Sequence, residues 1–480
     1  MSCACANVIR RLFTLAALSL FFVFSSAAQD KPAAPVVYAI THAKLITLAG
    51  SPIDDGTVVI KEGKIAAIGA GIEVPAGAQV IDAKGLQVYP GLFDPITQMG
   101  LSEIGAVAST VDTSETGQIN PDVVAATAVF PSSEHIPVTR ASGITEVLAV
   151  PGSGGFDSFG GRGMLAGQAS AIHMAGWTMD EMQIKRSAAM VINWPTINTQ
   201  SFDFTTFSRK QKPFAEAKAD YEKQVNQLTE VLDSARHYAQ AMGHGGPSDF
   251  ERDVKLESLV PVVRGQLPVL VFADRVRDIR NAVEYCEKHK LRMILAGGGE
   301  AYKVKDLLRS KDVPVILRPV LTDVGEEDDP YDRLLSQPAE LVAAGVKIAF
   351  ASFDNSFARR LGQNAANAIA HGLSPEDGLK AVTVYPAQIF GLSDQLGTLQ
   401  VGKTANIIVT NGDPLELTTD VKYLFIRGQL TSLENRHHRL YEKYLNRPKS
   451  EACECAVPEM PNKLKDNSKP SGMLSNPKPN

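Results

Sequence analysis

Two acidic residues at the ends of short apolar runs are the best candidates for catalytic groups. Asp94 ends the run 88–94 in the stretch PGLFDPITQMG, and Asp354 follows the run 346–352. Such runs indicate buried strands, and a carboxylate at the carboxyl end of a barrel strand is well placed for acid–base chemistry. We interpret Asp354 either as a catalytic base or as a structural carboxylate hydrogen-bonded to backbone. For Asp94 we favour the structural role.

His173 and Arg162 are weaker candidates. His173 lies in the apolar segment 170–174, where it could point into a barrel, but a single histidine without a partner motif is weak support for chemistry. Arg162 belongs to the glycine-rich stretch 151–163, PGSGGFDSFGGRG, and could contact a substrate carboxylate. That stretch lacks the Gly-Lys-Ser/Thr ending of a nucleotide-binding loop, so it is more typical of a loop at a barrel mouth.

Two other groups have the residue types of metal ligands. The acidic stretch 323–332, DVGEEDDPYD, could hold a hard cation, but a solvated loop is the commoner setting for such a charge run. The pairs His437-His438 and Cys453/Cys455 fit no standard zinc spacing. We therefore assign no metal site to either group.

Length and charge limit the number of domains and the kinds of partner that the chain can have. A chain of 480 residues can form two or three domains. Its 48 lysines and arginines nearly balance its 53 acidic residues, so nothing points to nucleic acid or to an anionic membrane surface. After removal of the N-terminal segment described next, the cysteines that remain are Cys286, Cys453 and Cys455, too few for a fold built on disulfides.

The N-terminus predicts export. Arg10 and Arg11 precede the apolar run 12–24, which is shorter than the ~20 residues needed to span a bilayer. Small residues follow, and cleavage after Ala28 fits the pattern of a secretory signal. The alternative is an uncleaved anchor. We predict a periplasmic or secreted protein that has no membrane contact once the signal is removed.

The apolar pattern changes near residue 90. Before it, the sequence predicts short strands and a hairpin at Lys61-Glu62-Gly63. After it, apolar runs alternate with helical stretches, which favours parallel strands joined by crossover helices. Eight runs over about 300 residues suit a (β/α)₈ barrel of the TIM type with insertions. The runs lie at 88–94, 143–150, 170–174, 188–193, 267–273, 291–296, 313–318 and 346–352.

Helical signals occur at two places. A long amphipathic helix is predicted between the fourth and fifth runs, where apolar residues recur at three- and four-residue spacing. Its apolar positions are Tyr221, Val225, Leu228, Leu232 and Ala235. A second helix is predicted to start at Ser374-Pro375-Glu376-Asp377, with serine as the N-cap and proline at the first helical position.

The order of several motifs resembles the amidohydrolase superfamily, in particular exported imidazolonepropionase-like amidohydrolases. The motifs are GKIAAIG, VIDAKGLQVYPGLFD, LSPEDGLKAVTVYPAQIFGLSDQLGTLQVGKTANIIVTNGDPLE and NRHHRLYEKYLN. The resemblance covers roughly residues 37–445 and implies a metal-bearing (β/α)₈ barrel joined to a β-sandwich built from both chain ends. The predicted regions are a signal peptide, 1–28; a leader, 29–36; an N-terminal β-sandwich segment, 37–90; the barrel, 91–395; a C-terminal β-sandwich segment, 396–430; a terminal helix, 431–446; and a disordered tail, 447–480.

The resemblance also implies which residues should bind metal. In the family, strand one ends in Asp-x-His-x-His, strands five and six each add a histidine, and strand eight adds an aspartate. A zinc ion held this way activates a water molecule. In this sequence Asp94 and Asp354 match the two acids. The histidine positions are occupied by Ile96, Gln98, Phe272 and Ala296, or Gly297 in place of Ala296. Zinc is therefore expected from the family, but its ligands are missing.

The resemblance implies an ancestral hydrolase of non-peptide C–N bonds, such as cyclic amides. For this chain we predict a degenerate metal site with reduced or absent standard activity. The alternatives are a metal-dependent hydrolase with non-standard ligands and a non-catalytic pseudoenzyme that binds an amide-type ligand or stabilises a partner. That partner would be a second copy or an active relative. Convergence of Asp354, Asp94, Gln98 and His173 would favour chemistry, whereas an apolar plug at the histidine positions would favour the pseudoenzyme.

Overall fold

The computed structural model describes residues 36–152, 163–203, 208–243, 252–325 and 328–448. The chain divides into two compact units, Met1–Asn435 and Arg436–Asn480. The predicted signal peptide, Arg162 and the Cys453/Cys455 pair lie outside the described residues. Within the described ranges, no helix is long and apolar enough to cross a membrane.

The strands are numbered in chain order. They are β1 (Tyr38–Leu45), β2 (Ile53–Lys61), β3 (Lys64–Ala70), β4 (Gln79–Asp82), β5 (Gln87–Pro90), β6 (Leu92–Thr97), β7 (Ile144–Ala149), β8 (Leu165–His173), β9 (Gln183–Asn193), β10 (Gln200–Asp203), β11 (Ser208–Gln211), β12 (Val269–Ala273), β13 (Met293–Gly297), β14 (Val315–Leu317), β15 (Ile348–Phe350), β16 (Ile407–Thr410), β17 (Val421–Ile426) and β18 (Gln429–Leu430).

The α-helices are also numbered in chain order. They are α1 (His135–Arg140), α2 (Met179–Met182), α3 (Phe214–Gly243), α4 (Val254–Val263), α5 (Val276–Lys288), α6 (Lys305–Ser310), α7 (Arg333–Ala343), α8 (Leu361–Ala370), α9 (Pro375–Lys380), α10 (Val384–Ile389) and, in the second unit, α11 (Arg436–Leu445). Helix α3 confirms the predicted long helix, and the Ser374 hydroxyl accepts a hydrogen bond from Asp377 N at 3.0 Å, which confirms the predicted cap of α9.

Strands from both ends of the first unit form one sheet. Its order is β18-β17-β16-β5-β1-β2-β3, with β4 paired to β1. The predicted hairpin joins β2 to β3 through Glu62 and Gly63, whose φ angles of 52° and 77° match the two-residue turn that suits the twist of paired strands. That this sheet and the barrel are separate domains stays a prediction, because both belong to the same compact unit.

The second large sheet is the barrel sheet, ordered β6-β7-β8-β9-β12-β13-β14-β15. Each of the eight apolar runs predicted from the sequence overlaps one of these strands. We call the end at which β6, β7, β9 and β12 to β15 finish the mouth, and the opposite end the floor.

Strand β8 does not run parallel to its neighbours. It pairs antiparallel with both β7 and β9, so the prediction of parallel strands throughout the barrel is wrong at this position. The connection from β8 to β9 spans only residues 174–182 and contains the single helical turn α2. A crossover between parallel strands needs about a dozen residues or more, so this connection can only reverse the chain. As a result, the carboxyl end of β8 lies at the floor.

The first and last strands of the barrel sheet meet near the mouth. Phe353 N donates a hydrogen bond to Ile96 O at 2.9 Å. Next to it, Ser352 N donates to the Asp94 carboxylate at 3.1 Å. These bonds form a seam between β6 and the segment that follows β15. Asp94, for which the sequence predicts a structural role, accepts one of the two hydrogen bonds of this seam.

Further towards the floor, the seam is bridged by the loop between α9 and α10. Phe93 N donates to Val382 O at 2.8 Å, and Phe350 N donates to Ala381 O at 3.1 Å. The adjacent carbonyls of Ala381 and Val382 therefore accept one hydrogen bond from β15 and one from β6. These bonds stabilise the seam, because a buried backbone N–H group without a partner costs free energy.

Apolar side chains fill the barrel interior, as expected for eight strands. The buried set consists of Phe93, Ile96, Leu148, Val150, Ala166, Ala169, Ala171, Ala188, Ala189, Val191, Leu270, Phe272, Ile294, Ala296, Ile316, Ala349, Ala351, Ala387, Phe390, Leu392 and Leu396. Three of the four positions at which the family resemblance expects histidines, namely Ile96, Phe272 and Ala296, are part of this packed interior.

Replacement of Gly91 tests the packing at the floor. A Cβ atom at Gly91 would lie 1.8 Å from the Thr145 hydroxyl, so Gly91→Ala forces the start of β6 away from β7. We expect the free energy of unfolding to fall by about 2 kcal/mol or more, a typical cost of overpacking. Urea unfolding measures this as a lower midpoint. Gly50→Ala, where nothing lies within 4 Å of the new Cβ, is the control. Equal midpoints for the two variants would contradict the packing described here.

Candidate functional site

Two neighbouring cavities open at the mouth, each about 360 Å³ in volume. Both are lined by Asp274, Arg275 and Arg318. The first extends towards Glu300 and the loop after β14, and the second towards Trp194, which follows β9. Cavities at the carboxyl ends of barrel strands are where such folds place their functional sites.

An ion pair between Asp274 and Arg318 separates the two cavities. The Arg318 Nε atom donates to Asp274 Oδ1 at 3.1 Å, and Nη2 donates to Oδ2 at 2.9 Å, which is the bidentate geometry that guanidinium and carboxylate groups prefer. Both side chains keep 40% or more of their surface exposed. The pair can therefore contact a ligand from either cavity.

A run of three glycines, 297–299, that begins at the last residue of β13 leaves room for this ion pair. A Cβ atom at Gly297 would lie 2.5 Å from Asp274 Oδ1. Gly297 and Gly298 also have φ angles of 97° and 63°, which side chains rarely tolerate. Gly299 N lies 3.3 Å from Asp274 Oδ1 and donates a hydrogen bond to it. The three glycines thus allow the backbone to approach the Asp274 carboxylate closely.

Aromatic side chains cover the inner side of Arg318. Its guanidinium lies 5.2 Å from the centre of the Phe353 ring, and the Phe353 ring contacts the Phe272 ring edge-on at 5.9 Å. A cation over an aromatic face is favourable. Phe353 has a φ angle of 56°, an unusual conformation for a bulky residue, and such strain is often found at functional sites.

Asp94 is completely buried, and its hydrogen bonds hold the seam. Its Oδ1 atom accepts hydrogen bonds from Ser352 N and Ile96 N at 3.1 and 3.4 Å, whereas its Oδ2 atom has no hydrogen-bond partner. Burial raises the pKa of Asp94 from 3.8 to about 7, Asp354 adds to the rise, and the hydrogen bonds oppose it. A carboxyl group with one unpartnered buried oxygen is better accommodated in its protonated form.

Asp354 and Gln98 both follow barrel strands at the mouth. The Asp354 Oδ1 atom accepts hydrogen bonds from the backbone N–H groups of Ser356 and Phe357, so this carboxylate holds a turn while remaining partly exposed. Gln98 follows β6 directly and is partly buried. Thus Asp94, Gln98 and Asp354 belong to the mouth end of the barrel.

His173 lies at the opposite end, because β8 runs towards the floor. Its Nδ1 atom is 3.1 Å from the Asn406 amide nitrogen, and that nitrogen also donates to Glu146 at 2.9 Å. Burial and the charge of Arg427 lower the pKa of His173 to about 3, and burial raises the pKa of Glu146 to about 8. The convergence of His173 with Asp94, Gln98 and Asp354 that would favour chemistry is therefore not formed, and His173 joins the barrel floor to the segment before β16.

The residues at the family's metal positions do not fit a zinc centre. Within the part of the chain that the structure describes, no group of three or more histidine, cysteine or acidic side chains could hold a metal ion. Ile96, Phe272 and Ala296 offer no ligand atom and are buried in the barrel interior. Zinc sites need nitrogen, sulfur or carboxylate ligands, and two separated acids do not supply enough of them.

The most prominent residues of the mouth, Asp274, Arg318 and Phe353, were not singled out from the sequence. A signal for them exists. Asp274 directly follows the run 267–273, and Arg318 ends the run 313–318. Two opposite charges at the ends of strands separated by one other strand could have been expected to pair. The conformation of Phe353 has no comparable sequence signal.

Comparisons with known proteins agree with the fold. A model of the amidohydrolase family matches residues 335–431, which include Asp354. The curated protein Amidohydrolase tasK from Hapsidospora irregularis is 24% identical over 396 residues, 78% of this chain. This chain matches only 39% of the length of that relative.

Solved structures are similar along most of the chain. The crystal structure of an amidohydrolase from Thermotoga maritima MSB8 has a TM-score of 0.69 and 25% identity, over 82% of this chain and 99% of that one. Molinate hydrolase, at 16% identity and a TM-score of 0.50 over 87% of this chain and 99% of that one, shares the fold alone. Together, the matches support the amidohydrolase superfamily and a barrel of the TIM type.

The raised pKa of Asp94 predicts a specific pH dependence. Because the folded state holds the proton more tightly than the unfolded chain, Asp94 stabilises the fold fully below pH ~4, and this contribution is lost as the pH rises to about 7. The variant Asp94→Asn mimics the protonated carboxyl group. Because its side chain does not ionise, the variant does not lose this stability as the pH rises. We expect the unfolding free energy of the variant, relative to the original protein, to rise by up to about 4 kcal/mol between pH 4 and pH 8.

Urea unfolding at several pH values measures this difference. The exposed Asp55→Asn serves as the control, and its difference from the original protein should not change with pH in the same way. A constant difference for Asp94→Asn across this range would show that Asp94 is ionised in the folded protein.

Proposed function

Starting from the amidohydrolase superfamily, we propose that this chain binds a small amide-type ligand at the barrel mouth and has a degenerate metal site. The observation that supports the proposal is that packed apolar side chains occupy positions at which the family resemblance expects metal ligands. Ile96 and Phe272 belong to the apolar interior, and the ion pair of Asp274 and Arg318 lies at the mouth. We further propose that the chain is an exported, imidazolonepropionase-like relative with a composite β-sandwich.

The chemistry of the mouth suits an amide. The Asp274 carboxylate accepts hydrogen bonds, and Arg318 uses two of its five N–H groups on Asp274, which leaves donors for a carbonyl. An amide offers one N–H donor and one C=O acceptor, so it can contact both partners of the ion pair. Trp194 and Phe272, which line the second cavity, provide an apolar surface for the rest of the ligand.

A hydrolase that uses Asp354 as a general base is the second candidate. It is supported by the partial exposure of Asp354 at the mouth, and it requires ligands outside the family pattern for any metal. Asp94 is less suitable as a base, because it is fully buried and bound to the seam. For both candidates, we also propose that the chain pairs with a second copy of itself or with an active relative.

Metal analysis separates these candidates. We expect protein purified without chelator to contain far less than one zinc per chain, because the described residues that line the two mouth cavities include no imidazole or thiolate ligand. Inductively coupled plasma mass spectrometry on the full chain gives the stoichiometry. Stoichiometric zinc that is lost in Asp354→Ala would overturn the degenerate-site proposal and favour the metal-dependent hydrolase.

Ligand binding tests the role of the ion pair. Isothermal titration with hydantoin and glycylproline as amide probes should detect binding that is weakened about 10-fold or more in Arg318→Met, because a hydrogen bond to a charged group contributes about 1.5–3 kcal/mol. The exposed Arg280→Met on α5 is the matched control and should bind like the original protein. Equal affinities of both variants for every probe would exclude Arg318 from binding.

A further inference from the structure

A separate cavity lies at the floor of the barrel, at the opposite end from the mouth. Its volume is about 420 Å³. Arg292, Pro314 and Lys347, which directly precede β13, β14 and β15, contribute to its wall. Lys185, from the first part of β9, completes the wall on the other side.

This cavity is positively charged in a chain whose net charge is −5. Lys185, Arg292 and Lys347 line it together with a single acid, Asp312. Among the residues that the structure describes, none of the three cations forms an ion pair. The hydrogen bonds that they do form go to carbonyls, from Lys185 Nζ to Phe390 O at 3.1 Å and from Arg292 to Gln266 O at 3.4 Å.

The electrostatics of Lys185 reflect this arrangement. Burial lowers the pKa of Lys185, the charge of Arg292 lowers it further, and the charge of Asp394 opposes the change. Like charges near a low-dielectric wall repel each other more strongly than they do in water. An anion bound in the cavity would relieve this repulsion, and Lys185 has N–H groups beyond the one given to Phe390 to offer it.

Part of the remaining wall is apolar. Met293, Ile294, Ile389 and Phe390 line the cavity. Phe390 also belongs to the packed barrel interior, so the inner end of the cavity is closed. Binding cavities for small molecules have volumes of about 300–1,000 Å³ and combine an apolar wall with a few placed polar groups. A ligand here would need one anionic group and an apolar body.

We propose that the barrel floor is a binding site for a small organic carboxylate, with Lys185 and Arg292 contacting the carboxylate and the Phe390 side contacting the apolar body. Lys347 adds attraction from the exposed rim. The site is independent of the mouth, because the packed interior of the barrel separates the two. The proposal therefore does not depend on the function assigned to the Asp274–Arg318 pair.

Titration of the full chain with benzoate tests the proposal. We expect measurable binding of benzoate and much weaker binding of benzamide, which has the same shape and no charge. The dissociation constant should rise at least 10-fold in Lys185→Met and in Arg292→Met, and it should rise with salt concentration. Because Lys185 is partly buried, the exposed Lys347→Met provides a variant that leaves the floor packing intact, and a smaller rise is expected for it.

Two controls locate the site. Exposed Lys84→Met, outside the cavity, and Arg318→Met, at the mouth, should bind benzoate like the original protein. No heat of binding with benzoate, equal affinity for benzamide, or unchanged affinity in both Arg292→Met and Lys347→Met would overturn the proposal. Loss of benzoate binding in Arg318→Met alone would place the carboxylate at the mouth instead.

Discussion

The hydrogen bond from Ser352 N to the buried Asp94 carboxylate is the constraint on which the barrel depends. An eight-stranded sheet becomes a barrel only when its first and last strands meet, and this bond, with the one between Phe353 and Ile96, joins them at the mouth. The same backbone segment then positions Phe353 over Arg318. One short stretch, 350–354, therefore takes part both in closure of the barrel and in the contacts of the mouth.

The proposed function gives the mouth a chemistry based on fixed protein charges. In a metal site the strongest local charge is that of the ion. Here the guanidinium of Arg318 is the cation, and it is held between a carboxylate and an aromatic ring. Recognition at the mouth would then depend on hydrogen-bond geometry more than on activation of water.

The sequence predicted the strands well and their directions less well. Each apolar run corresponds to a barrel strand because burial on both faces leaves a continuous apolar signal. The direction of β8 depends on the length of its connections, which the apolar pattern does not report, and so the pattern could not show that His173 lies at the floor. Asp94 and Asp354 were identified by position. Asp274 and Arg318 matter only as a pair, and their contact depends on the glycines at 297–299, which a residue-by-residue search does not detect.

The sheet built from both chain ends has a consequence for protein synthesis. Strand β5 ends at Pro90, and its partner β16 starts at Ile407, about 300 residues later. At a translation rate of roughly 5–20 residues per second, the partner emerges from the ribosome some 15–60 seconds afterwards. Until then Asn406 cannot reach Glu146 and His173, so these polar groups of the floor stay hydrated in the nascent chain. Their contact with Asn406 can form only after all eight strands of the barrel sheet have been made.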